Sequence, residues 1–322
     1  MKGMYIVDHG KWKNEPIRKG FGRGLVKAGE KDEQVVALCA DLTESTQIEP
    51  FALAFPERYV EIGIAEQNMI TVASGMAALG KIPFTSSYAA FNPGRNWEQI
   101  KTTVSLNNQN VKIVGAHAGL YTGPDGATHQ MLEDVGLMRV MPNMVVIVPG
   151  DSVEAEKATL AIAKDKRPAY LRLARDNSPI FTALESPFEI GKAYVLVEGS
   201  DVTIIANGTM TSVALQAAEK LFRNGIDAEI IHCPTVKPLD GAKILASVKK
   251  TKHVITIEEA QINCGLGSAV AELVSEHNPV PLVRMGVKDT YGQSGTVAEL
   301  LEHYGLTPKH VMLTAESLLN RK

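Results

Sequence analysis

Two groups of residues in this chain have the types and spacing to do chemistry. The first is a single carboxylate, Glu66, in Val60-Glu61-Ile62-Gly63-Ile64-Ala65-Glu66-Gln67. A short apolar run ends at Gly63. Beyond it Ile64, Ala65, Met69, Val72, Ala73, Met76 and Leu79 recur near a 3.6-residue period, with Gly80 as a stop. Glu66 therefore falls in the first turn of an otherwise apolar helix, where the helix dipole by itself favours an acid. An acid on a helix built to pack closely through Ala73, Ser74, Gly75, Ala77 and Ala78 is also shielded from water, and such acids need a partner. The second group is the loop 116–130, which carries His117, Asp125 and His129 on a backbone loosened by Gly119, Gly123 and Gly126. Taken singly, either histidine reads as an ordinary surface residue. Together on one loop, imidazoles that titrate near neutral pH suit proton movement at substrate oxygens.

The elements that must position these groups alternate. Residues 14–30 read as a helix entered at Asn14 with Pro16 just inside and Gly29 near its end. Strand 35–39, helix 48–55, strand 59–62, the helix opened by Glu66, strand 82–84 and helix 95–107 follow. Next come strand 111–115, the glycine-rich loop, helix 131–139, strand 144–148, helix 152–163 and strand 169–172. Residues 176–192, with Pro179, Pro187 and no periodicity, read as a linker. The alternation then restarts with strands at 201–206, 228–232, 253–258 and 280–285. Helices at 211–224, 240–250 (opened by Pro238), 266–276, 295–303 and 309–320 lie between and after them. The expected fold class is α/β, with two consecutive domains whose mainly parallel sheets are covered by helices. Domains are expected at 1–178 and 196–322, with 179–195 linking them. In such sheets ligands gather at the carboxyl ends of strands, and the 116–130 loop occupies one.

Length and composition agree with two globular domains. The chain has 322 residues, 45% hydrophobic and 21% charged, with a formal net charge of -3. That net charge gives no reason to expect a polyanion partner, and the basic first 31 residues lack the aromatic interleaving of a nucleic-acid surface. Cys39, Cys233 and Cys264 are too scattered for a zinc spacing or a disulfide framework. No apolar run reaches the ~18 residues of a membrane span. A soluble, cytoplasmic protein with reduced thiols is expected.

Gly63-Ile64-Ala65-Glu66-Gln67 resembles the segment of transketolase-like thiamine diphosphate enzymes that carries their one indispensable glutamate. The resemblance implies that Glu66 hydrogen-bonds the ring nitrogen of the cofactor aminopyrimidine, favours its imino tautomer and so promotes the nucleophilic ylide. The protein's part is to orient and tune a cofactor that carries the hard chemistry. Asp125-Gly126-Ala127-Thr128-His129-Gln130 is similar to the family's Asp-Gly-Pro-Thr-His-Gln, with Ala127 in place of proline. By that likeness His129 contacts the sugar hydroxyls and developing alkoxide, Asp125 reads the C2 hydroxyl of the aldose, and His117 is a further substrate-contacting histidine. Arg18 and Ser45, 27 residues apart, and Arg175 in Leu173-Ala174-Arg175-Asp176 match the family's phosphate-binding residues. Planar guanidinium groups suit phosphate oxygens. Tyr88 and Phe91 fit the aromatic pair that packs on the cofactor pyrimidine.

The family also holds the cofactor diphosphate through a divalent metal, Mg2+ or Ca2+, on a domain marked by Gly-Asp-Gly, and no Gly-Asp-Gly occurs here. The resemblance spans 14–322 and only the last two of the family's three domains. It implies the C-terminal-half subunit of a split transketolase, acting in the pentose phosphate manner on sugar phosphates. A separate N-terminal-half subunit would then supply diphosphate and metal binding in an α2β2 heterotetramer. Within the family, 1-deoxyxylulose-5-phosphate synthase and the β subunits of 2-oxo acid dehydrogenases share the glutamate motif. Outside it, Gly265-Leu266-Gly267-Ser268-Ala269 partly matches a dinucleotide fingerprint, and a dinucleotide-binding oxidoreductase is the alternative of a different class.

Overall fold

A computed structural model describes residues 6–320. The apolar run Val35-Val36-Ala37-Leu38-Cys39 is buried at every position, which requires cover on both faces of its sheet. Cover is present on each side. Val35, Ala37 and Cys39 face a core with Phe21, Leu25, Ala155 and Ile162, whereas Val36 and Leu38 face Met69, Ile70, Ile100 and Val104. The helices that bring these groups are α1 (Ile17–Lys31), α3 (Glu66–Ala78) and α6 (Ser152–Lys164) with the π-helical turn Ile100–Ser105; the shorter α2 (Glu49–Ala54), α4 (Trp97–Gln99) and α5 (Asp134–Arg139) fill between. α1 and α6 pack so closely that a Cβ at Gly20 would stand 1.8 Å from the Ser152 carbonyl oxygen.

The first sheet contains β2 (Val35–Cys39), β3 (Tyr59–Glu61), β4 (Ile82–Tyr88), β5 (Lys112–Ala116), β6 (Val145–Ile147), β7 (Ala169–Arg172) and β12 (Thr235–Lys237), in the order β12-β6-β7-β5-β4-β2-β3. All neighbours run parallel except β12, which pairs antiparallel with β6. The chain leaves β2 for β3 on one side and returns to β4 on the other, so the crevice beyond β2 and β4 is a topological switch point. The second sheet holds β9 (Tyr194–Val197), β10 (Val202–Ala206), β11 (Ala228–His232), β13 (Val254–Gln261) and β14 (Leu282–Val287), ordered β14-β13-β10-β11-β9 and parallel except for β11–β9. Helices α7 (Met210–Arg223), α8 (Gly241–Thr251), α9 (Leu266–His277), α10 (Val297–His303) and α11 (Pro308–Leu319) complete this half. The expected α/β class, with mainly parallel sheets covered by helices, is the observed one. Among the described residues no helix is long and apolar enough to cross a membrane.

The structure departs from expectation where short segments borrow their conformation from a partner. The helix expected from Asn14 begins at Ile17, because Lys13–Pro16 is β1, paired antiparallel with β8 (Asn177–Ile180) in a separate two-stranded ribbon. Pro16 keeps an extended backbone at ψ 132°, and the residue before a proline is itself steered away from the helical region. β8 also places regular structure inside the stretch read as a linker. Strand 82–84 extends to Tyr88 because β5 pairs with it from Phe84 to Tyr88. α8 starts at Gly241 rather than at Pro238, with the Asp240 side chain accepting from the Lys243 N–H as its cap. Cys39 and Cys233 are buried free thiols, while Cys264 is exposed.

Candidate active site

Four adjacent strands, β7, β5, β4 and β2, deliver their carboxyl ends to one crevice, and nearly every residue singled out in the sequence lies there. Ser45 follows β2, Tyr88 and Phe91 close β4, the 116–130 loop follows β5, and Arg175 follows β7. Arg18 reaches in from the first turn of α1, and Glu66 is the first residue of α3, as its motif predicts.

Glu66 is 2% exposed and has the partner that its burial demands. Its Oε2 accepts from Arg95 Nη1 at 2.8 Å, and its backbone carbonyl accepts from Asn96 Nδ2 at 3.0 Å. No described residue donates to Oε1. Arg95 also lies over the Phe91 ring, 4.5 Å from its centroid. Phe91 continues the contact to Tyr88, stacked at 6.0 Å, and to His129, edge-on at 5.6 Å. Tyr88 stacks closely on His117, with ring centroids 3.8 Å apart. The two aromatic residues and two histidines therefore form one continuous surface leading away from Glu66. Arg95 was not anticipated. Its only local signal is a cation four residues after Phe91, at helical spacing.

At the far end of that surface Arg18 Nη1 donates to the Ser45 carbonyl and to His117 Nε2, both at 2.9 Å. A guanidinium can only donate, so Nε2 is the acceptor and the imidazole proton sits on Nδ1. That Nδ1 is buried and without a partner among the described residues, as is Arg18 Nε. Burial, helped by Arg18 and Arg175, pushes the His117 pKa down to about 2. His117 is thus a fixed neutral donor here, which corrects the expectation that both imidazoles titrate near neutrality. Ser45 contributes its backbone carbonyl to Arg18, and its side chain is half-buried beside it.

Arg175 donates from Nη1 to the Thr122 carbonyl at 2.9 Å and stands 3.6 Å from Asp125 Oδ1. Burial first, and then the neighbouring Arg175 charge, weaken the hold of Arg18 on its proton. Two guanidinium groups thus stand near one another in a half-buried crevice, Arg175 weakening Arg18. His129 Nδ1 bonds the Thr128 hydroxyl at 2.9 Å, and Thr122 Oγ1 donates to the His117 carbonyl at 2.6 Å. Chemically the crevice offers a buried carboxylate and an aromatic wall at one end. At the other end it offers neutral and cationic donors.

The partial dinucleotide fingerprint lies elsewhere and is already engaged. The amides of Leu266 and Gly267 at the start of α9 donate to the two oxygens of Glu258, each at 2.8 Å. A pyrophosphate would need those same amides.

The site sits at the carboxyl ends of parallel strands in a doubly wound α/β frame. The chain matches the transketolase pyrimidine-binding domain over residues 14–180 and the transketolase C-terminal domain over 191–311, and it belongs to the transketolase family. It is 47% identical over 294 residues to a Methanocaldococcus jannaschii protein provisionally named a transketolase C-terminal section, covering 90% of this chain and 92% of that one. It is 42% identical to the 6-deoxy-6-sulfo-D-fructose transketolase subunit of Clostridium sp., covering 92% of each. Among solved structures it superposes on a split-gene transketolase described as an inactive beta4 tetramer. The TM-score is 0.87 at 42% identity, over 94% of this chain and 98% of that one.

Proposed function

We propose that this chain is the C-terminal-half subunit of a split, thiamine-diphosphate-dependent transketolase that moves a two-carbon ketol unit from a ketose phosphate to an aldose phosphate. A separate N-terminal-half subunit supplies the diphosphate site and its divalent metal, Mg2+ or Ca2+, and the pair assembles as an α2β2 heterotetramer in the cytoplasm. The observation that carries this reading is the unbroken contact path from Glu66 through Arg95, Phe91, Tyr88 and His117 to Arg18. It joins the end proposed for the cofactor to the end proposed for the anion.

The residues fit the cofactor. Phe91 and Tyr88 would pack on the aminopyrimidine, and Glu66, through the oxygen that Arg95 leaves open, would hold its ring nitrogen. When bound, thiamine diphosphate supplies the carbanion chemistry that breaks and remakes a carbon–carbon bond beside a carbonyl. The chain itself supplies binding and orientation. Arg18 and Arg175 hold the terminal oxyanion, with Ser45 beside Arg18. His117 donates from Nδ1 to a substrate oxygen, His129 attends the hydroxyls nearer the aromatic wall, and Asp125, tethered by Arg175, accepts from a hydroxyl of the acceptor sugar. The paired guanidinium groups favour a sugar phosphate over the unphosphorylated 2-oxo acids of dehydrogenase β subunits. A sulfonate is also a tetrahedral oxyanion, and the sulfofructose enzyme among the relatives makes such a ketose a reasonable second donor.

The test is a two-carbon transfer assay with xylulose 5-phosphate or 6-deoxy-6-sulfofructose as donor and ribose 5-phosphate as acceptor, with cofactor and magnesium throughout. Activity is expected only when both subunits are mixed. Turnover by this chain alone, or turnover restricted to pyruvate-like donors, would overturn the reading. Like the beta4 tetramer among its relatives, the isolated chain is expected to assemble without activity.

A further inference from the structure

The sugar-side loop is held from below by the second domain. Glu259, in β13, is 3% exposed, and both of its carboxylate oxygens are engaged. Oε1 accepts from the Tyr121 N–H at 2.7 Å, across 138 residues of sequence, and Oε2 accepts from the Thr209 hydroxyl at 2.8 Å. The Glu259 backbone carbonyl accepts from Arg172 Nη2 at 2.8 Å, and Arg172 Nε donates to Asp134 Oδ2 at 2.8 Å. The loop is shaped to sit on this carboxylate. Gly119 has φ +72°, and a Cβ there would lie 2.3 Å from Glu259 Oε1, so both the conformation and the contact require glycine. Tyr121 is followed by Thr122, whose hydroxyl donates to the His117 carbonyl and whose own carbonyl accepts from Arg175. A second tie lies further along the loop, where Gln130 Nε2 donates to the carbonyls of Gly123 and, in the second domain, Gln293.

We propose that Glu259 is a positioning residue for sugar binding: from the second domain it fixes the 119–122 turn, and through Thr122 it sets His117 and Arg175. The inference rests on the sugar-phosphate reading of the crevice. A backbone N–H bonded to a carboxylate is among the stronger and more directional protein hydrogen bonds, and small displacements of substrate-holding groups are costly to turnover. The second domain thereby acquires a defined part in catalysis while touching no reacting atom.

The test uses the assembled two-subunit enzyme carrying Glu259→Ala or Glu259→Gln, and the isolated chain for hydrogen exchange. Glu259→Ala is expected to lower kcat/KM for the ketose phosphate roughly tenfold to a hundredfold, mainly through KM. Cofactor affinity, read by fluorescence titration, should stay at the wild-type value. Glu259→Gln keeps an acceptor oxygen for Tyr121 and should recover most of the loss. In the isolated chain, Glu259→Ala should speed exchange of the 119–122 amides independently of any activity. Unchanged exchange in that turn overturns the clamp, as does an unchanged sugar KM with exchange accelerated. A parallel loss of cofactor affinity would mean a general structural defect and overturn it equally. If Glu259→Ala does not fold, Thr209→Val removes only the donor to Oε2 and should give a smaller shift of the same kind. Wild-type enzyme inactive on every ketose phosphate would instead overturn the sugar-phosphate reading, whatever the exchange shows.

Discussion

Two glycine-rich segments in this protein follow the carboxyl ends of parallel strands, and they are put to opposite uses. After β13, the 262–268 turn is closed on itself. Glu258 takes the Leu266 and Gly267 amides, Ser268 Oγ takes the Cys264 amide, and Arg284 Nη1 donates to the Ile262 carbonyl and to Ser268 Oγ. After β5, the 116–130 loop and its surroundings leave donors unmet: His117 Nδ1 and Arg18 Nε are buried without partners among the described residues. Glycine content is common to both. What separates a ligand site from a structural turn is whether the chain has already satisfied the groups it gathers there.

The comparison can be broken by mutation, and the largest effect is expected in the open crevice. Glu66→Gln keeps the volume and removes the charge that answers Arg95. Turnover of the assembled enzyme should fall by roughly 10²–10⁴-fold with the oligomer intact. Near-normal rates at saturating cofactor would sink the assigned role.

Arg18→Ala comes next. It should lower kcat/KM for phosphorylated sugars by about a hundredfold and that for an unphosphorylated ketose several-fold at most, the smaller loss coming from the freed His117 ring. Equal losses on both substrates would remove the anion assignment and, with it, half of the contrast.

The smallest effect belongs to the closed turn. Burial pushes Glu258 up to about 7 from an ordinary 4.5, against the pull of the Gly267 and Leu266 amides. The folded chain therefore keeps this proton at pH values where the unfolded chain has lost it. Its contribution to stability is full below about pH 4.5 and is lost as pH rises through about 7. Glu258→Gln should flatten that part of the pH–stability curve and lower stability by about 1–3 kcal/mol, because an amide nitrogen must then face a backbone N–H. Cofactor and sugar affinities should not change; a loss of either would make the closed turn a ligand site after all.

Much of this could be read from residues in a row. β2, α3 and β7 fall where the apolar runs and periods place them, because burial on two faces or one stripe is a local pattern. Glu66, the histidine loop, Arg18 and Arg175 carry motifs, and the fold gathers them. What stayed hidden depends on partners far along the chain. β1 and β8 are short, and β8 holds a proline; neither has a pattern of its own, and each is a strand because of the other. Arg95 pairs with a carboxylate 29 residues earlier, and nothing beside it says so. Glu259 is adjacent in sequence to Glu258, yet one caps a helix in its own domain and the other reaches the loop of its neighbour. The neutral state of His117 follows from burial and two nearby cations, which no spacing rule contains.

The strand β12 gives the connecting segment an unexpected status. It comes from the second half of the chain and forms the outer edge of the first half's sheet, on β6. Close by, Glu154 of α6 and His232 of β11 meet across the same boundary at 2.7 Å, both buried. Asp151 pins the other side of the joint by accepting from the Phe181 and Thr182 amides. The peptide bonds near the exposed Leu184 are therefore not what keeps the halves together. A protease cutting there would leave two fragments that travel as one particle, and the first fragment made alone would lack the outer strand of its own sheet. The protein is two folds by inspection and a single object by construction.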